Sequence, residues 1–141
     1  MAAALGRVDM PNWLRWVLII PAAGIAYFLV QIVGGIASET WPFSDRGQDL
    51  FSQALNSALG PWALVRAGAA TAPHHYRFIT AQVLAAVAAL ITVMLVGATL
   101  LGNLKTGYNP GWIALTSLIS LIALGFAIDQ VKKDQKKSVE A

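Results

Sequence analysis

Hydrophobic positions in this chain fall into long unbroken runs rather than alternations. Two runs are unambiguous: "LRWVLIIPAAGIAYFLVQIVGGIA", about 14 to 37, and "FITAQVLAAVAALITVMLVGATLL", about 78 to 101. A helix needs about 20 apolar residues to cross the hydrocarbon of a bilayer, and both have them. A third run, "WIALTSLISLIALGFAI", is shorter but carries no charge, and Val131 with the lysine stems beyond it extends the run to about 131. The fourth, "DLFSQALNSALGPWALVRAGAA", about 49 to 70, contains Gln53, Asn56, a Gly60-Pro61 step and Arg66. Hydropathy alone leaves that segment between an interfacial helix and a weak span.

Charge distribution decides between them, because lysine and arginine in short loops favour the cytoplasmic side. With four spans, one side receives Arg7, Arg15, Arg66, Arg77, Lys132, Lys133, Lys136 and Lys137, and the other keeps only Arg46 and Lys105. With three spans, the C-terminal lysines fall opposite Arg7 and Arg15. The expected fold is therefore an all-α integral membrane protein with four transmembrane helices (about 14–37, 49–70, 78–101 and 112–131), short loops and both termini cytoplasmic. It forms a single domain, 1–131, followed by a short basic cytoplasmic tail, 132–141. Asp45 with Gln48 reads as a capping box opening the second helix, and Asn109-Pro110-Gly111 as a turn before the fourth.

The first run competes with a cleaved signal peptide, but it exceeds the 7 to 15 apolar residues, roughly, of such a segment and is read as a retained anchor. Pro21 can bend it, and Gly24, Gly34 and Gly35 can admit a close neighbour. Trp13, Trp16, Trp41 and Trp112 lie at expected interfaces, whereas Trp62 falls inside the second helix, where packing explains it.

Composition agrees with this picture: 57% of residues are hydrophobic and 12% charged, against about 25% charged in a soluble domain. At 141 residues the chain holds one small helical domain, not the paired repeats of many solute carriers. Cysteine is absent, which excludes disulfides and thiolate chemistry.

Candidate chemistry is sparse. "TAPHHYR" (71–77) gathers two histidines, a tyrosine and an arginine, yet adjacent histidines point about 100° apart on a helix and do not grip one ion. No ligand-spaced motif completes a metal site, and no metal or other cofactor is expected. His74, His75, Arg77, Lys132 and Lys133 are read instead as contacts to anionic lipid headgroups at a hairpin corner. Arg66, which snorkels toward its helix end, has Asp129 as its candidate ion-pair partner at a similar depth. Asp49, Gln53, Asn56, Ser57 and Gly60 share one face of the second helix, and Gln31 lies at a comparable depth on the first. Amides in lipid seek partners, so this stripe is a candidate packing seam or partner face. Ala81, Ala85, Ala89 and Gly97, with Thr116 and Ser120, offer small-residue surfaces for close packing.

No nucleophile elbow, zinc-binding helix motif, phosphate-binding Gly-Lys loop or intramembrane carboxylate pair is present, so no enzyme activity is expected. The lysine tail follows a span directly, which assigns it to topology and lipid rather than nucleic acid. The expected function is a non-catalytic integral subunit or assembly factor of a larger complex in a cell inner membrane, bacterial by default. Its partners would be other membrane subunits or copies of itself; a small oligomeric transporter or channel is the alternative.

Overall fold

The computed structural model describes residues 11–40, 42, 44–102, 107 and 109–140. Arg7, Trp41 and Lys105, used above for topology and interfaces, lie outside them. Among the described residues the chain is helical with no strands: α1 (Asn12–Glu39), α2 (Asp45–Thr71), α3 (Arg77–Leu100) and α4 (Pro110–Glu140), with a 3₁₀ turn at His74–Tyr76.

Helix boundaries follow local chemistry. α2 starts with Ser44 at its N-cap, whose carbonyl accepts the Gln48 N–H at 2.9 Å, and no side chain caps it. Ser44 rather than Asp45 is therefore the N-cap residue. Asp45 instead sits in the first turn, where its carboxylate meets the positive end of the helix dipole. α2 ends at Thr71, and the extended Ala72 that follows is what a residue before proline requires. At the start of α4, Asn109 Oδ1 accepts the Gly111 N–H at 2.9 Å. Pro110 occupies the first helical position, where its missing N–H costs nothing. α4 then continues through Glu140, so the expected tail is helix over its described length. Pairs at i,i+4, Lys133 with Asp129 at 2.6 Å and Lys136 with Glu140 at 3.8 Å, run along it.

The helices run alternately up and down around α2. α1 lies antiparallel along it, with Asn56 against Gly34, Gly60 against Tyr27 and Gly68 against Ala23. α4 runs parallel to it: Ser120 donates to the Ser57 carbonyl at 2.8 Å, Trp62 Nε1 donates to Gln130 Oε1 at 3.0 Å, and Arg66 meets Asp134. α3 packs against α2 and α4, whereas α1 joins the bundle almost wholly through α2. Two ends result: a loop end with the start of α2 and α4, and a corner end with the α2–α3 connection and the last turns of α4.

Three helices, α1, α3 and α4, are long and apolar enough to span a membrane; α2 is not among them. That narrows the expected set of four spans, and the reason is position. Of the large apolar side chains of α2 only Leu59 is exposed, while α1, α3 and α4 turn rows of Ile, Leu, Val and Phe outward. The central helix spends its surface on neighbours and carries the polar groups that bond them. Toward the corner end the core is small and apolar: Val65 and Ala69 from α2, Ala81 and Ala85 from α3, Leu124, Ala127 and Val131 from α4.

Candidate functional site

Between α1 and α3, floored by α2, lies a groove of about 830 Å³ in the loop-end half of the bundle. It exists because α1 and α3 both pack on α2 but hardly on each other. Its floor is the polar stripe: Asp49, Gln53, Asn56 and Ser57 all line it, with Gln31 facing from α1. Ile91 and Leu95 of α3 form an apolar wall, and Tyr27, Pro61 and Leu64 also border it. Among the described residues no lysine or arginine lines the groove, while Glu39 and Asp49 bring two exposed carboxylates to its loop end.

Part of the stripe is satisfied internally. Trp112 Nε1 donates to Gln53 Oε1, joining the starts of α4 and α2. Ser57 donates to the Gln53 carbonyl at 2.7 Å, and its own carbonyl accepts from Ser120. Asn56 differs: its Nδ2 reaches Ser52 Oγ only at 3.5 Å, and its Oδ1 is buried without a partner. That oxygen stands where a Cβ on Gly34 would be, 2.0 Å from the ideal position, so glycine at 34 is what lets the amide pack on α1. Gly24 and Gly35 have no such neighbour.

At the corner end the expected pair of Arg66 with Asp129 does not form. Arg66 bonds Asp134, and Asp129 bonds Lys133 on its own helix. The residue separation of α2–α4 partners grows from 63 at Ser57–Ser120 to 68 at Arg66–Asp134. The guanidinium thus reaches on toward the helix end, as a snorkelling arginine does. Helix phase explains the choice of partner. Asp134 follows Thr116 by eighteen residues, five turns of about 3.6, and returns to the face that buries Thr116, Ser120, Ala127 and Val131. Asp129 points away from that face. Trp62, expected to serve packing alone, also donates its indole N–H to Gln130, as a partly buried tryptophan does when a polar partner is in reach.

Of the residues assigned to lipid headgroups, His75 and Lys132 line one small cavity of about 460 Å³ and Arg77 lines another of about 410 Å³, with Gln135 shared by both. His74 is exposed and lines neither, and Lys133 is held by Asp129. Trp16 packs on Tyr76 with ring centroids 5.6 Å apart, tying α1 to the corner. Among the described residues no three His, Asp or Glu side chains form a metal-binding group.

Fold and groove define a helical protein with three membrane-spanning candidates clustered around a more polar fourth helix. Compared with known proteins, the chain matches no family, no curated protein and no solved structure.

Proposed function

We propose that this chain is a non-catalytic integral subunit or assembly factor of a larger membrane complex, in a bacterial inner membrane, and that the α1–α3 groove receives a membrane helix of its partner. All four helices cross the membrane in this reading, with both termini cytoplasmic. The antiparallel course of α2 along α1, from Asn56–Gly34 to Gly68–Ala23, supports a transmembrane rather than an interfacial α2.

The carrying observation is the polar floor of the groove, which lies between two lipid-facing helices and includes Gln53, Asn56 and Ser57. Polar side chains that face acyl chains in the groove lose hydrogen bonds that a polar side chain of a second helix supplies. Glu39 and Asp49 select a partner with a basic residue near its membrane boundary. The alternative, a small oligomeric transporter or channel, draws on the same groove. It is weakened by the corner-end core, where Val65, Leu124 and Val131 pack with four alanines across the end of the groove.

The test is photo-crosslinking from the groove in the native membrane. A photoreactive residue at Ser52 or Thr92 should give one discrete adduct with a larger polypeptide, and one at Val83, exposed elsewhere on α3, should not. Thr92→Trp, which fills the groove, should abolish the adduct from Ser52 while leaving the melting temperature in mild detergent unchanged. Adducts with lipid only, or equal adducts from Val83, would remove the partner-helix reading; adducts with a second copy of the chain would favour the oligomer.

A further inference from the structure

The corner end holds a second arrangement, independent of the groove and of the partner reading. Two cavities of about 410 and 460 Å³ adjoin at Gln135, where the first turn of α3 meets the last turns of α4. Their charged lining is mostly cationic: Arg66, Arg77, Lys132 and Lys136 against the single carboxylate of Asp134. Arg66 is already spent on Asp134, and Lys136 lies 3.8 Å from Glu140 across solvent. Arg77 and Lys132 form no ion pair among the described residues, and His75 lies beside Lys132 in the same cavity. Two polar atoms are buried here without a hydrogen-bond partner: Arg77 Nε, a donor, and Gln135 Oε1, an acceptor. The N-terminus of α3 opens at this end with no acidic residue in its first turn and no side-chain cap. The positive end of its dipole adds to the field.

Apolar surface leads away from this cluster along one side. Phe78 and Ile79 wall the cavity that holds His75 and Lys132. Ile79, Val83, Val87 and Leu90 then recur at helical spacing on α3, each at least half exposed. The cluster is therefore the head of an apolar track.

We propose that this corner is a discrete binding site for an anionic glycerophospholipid. The phosphodiester sits between Arg77 and Lys132, a headgroup hydroxyl donates to Gln135 Oε1, and an acyl chain lies along Ile79, Val83 and Val87. A free phosphate would use the cations but not the track. A zwitterionic headgroup carries its own cation into an already positive site.

Native mass spectrometry of the full chain in mild detergent tests this, with phosphatidylglycerol and phosphatidylcholine of identical acyl chains as probes. Wild type should retain phosphatidylglycerol in preference. Lys132→Gln and Arg77→Gln should each lower that retention about fivefold, which corresponds to about 1 kcal/mol per cation near a membrane surface. Lys133→Gln, whose ammonium is already bound to Asp129, should change it little. A melting curve in the same detergent checks folding, and Lys132, exposed on α4, supplies a variant that keeps the fold. Inorganic phosphate at millimolar concentration should not raise the melting temperature, whereas phosphatidylglycerol should. Equal retention of the two lipids, or variants that bind like wild type, would overturn the site. Stabilisation by phosphate equal to that by lipid would replace it with a simple anion site.

Discussion

Single residues decide how closely the helices approach. Gly24, Gly34 and Gly35 look equivalent in the sequence, yet only at Gly34 does a neighbour occupy the space of a Cβ. Gly34→Ala must push the Asn56 amide aside or part α1 from α2, an overpacking cost of about 1 to 3 kcal/mol. Gly35→Ala meets nothing within 4 Å and should be neutral or gain up to about 1 kcal/mol from helix propensity. Thermal unfolding of the two variants in one detergent should separate them by several degrees, and equal curves would show that the Gly34–Asn56 contact is not maintained. Ser120→Ala removes the hydroxyl that crosses to the Ser57 carbonyl and should cost about 0.6 kcal/mol, a typical interhelical hydrogen bond in a membrane protein. Ser117→Ala, whose hydroxyl bonds back to Ile113 on its own helix, should cost less. What the sequence could not disclose here is azimuth: depth alone put Asp129 beside Arg66, while the rotation of α4 put Asp134 there.

At the scale of elements, α1, α3 and the apolar part of α4 were legible from unbroken apolar runs, because a lipid-facing helix must be apolar around most of its surface. α2 was ambiguous for the complementary reason, since a helix wrapped by three others can carry Gln53, Asn56 and Ser57 without meeting acyl chains on every side. The extension of α4 to Glu140 was missed because its last turns are polar, held by i,i+4 pairs and by Arg66 on Asp134 rather than by burial. Two experiments follow. Cysteines at Ser44 and His74 sit at opposite ends of α2 and should react from opposite sides of the membrane, with Ser138 sharing the side of His74. Labelling of Ser44 and His74 from one side would make α2 a non-spanning helix. Asp134→Asn should loosen the corner end, raising hydrogen exchange of the last α4 turns, while Asp129→Asn, which breaks only a pair within α4, should leave the α2 end unaffected. The reverse ranking would restore Asp129 as the partner of Arg66.

For the whole molecule, the two halves of the bundle differ in kind. The loop-end half is polar and open to the side, with about 830 Å³ of space between α1 and α3; the corner-end half is closed by small apolar side chains that let α2, α3 and α4 approach closely. The stripe that floors the groove could be read from helical spacing, but the groove itself could not, because it depends on α1 touching α2 and scarcely touching α3. Water or an ion entering from the loop end would meet Leu64 and then the apolar Val65–Leu124 layer, beside which the Trp62–Gln130 pair is already bonded to itself. Burying an unpaired charge there costs far more than thermal energy supplies. Liposomes holding the purified protein at low density should therefore leak protons and potassium no faster than empty liposomes, measured with an entrapped pH dye and a potassium gradient. Flux that rises with protein density and is blocked by Thr92→Trp would mean that copies of the chain assemble a path through their grooves, and the channel reading would displace the subunit reading.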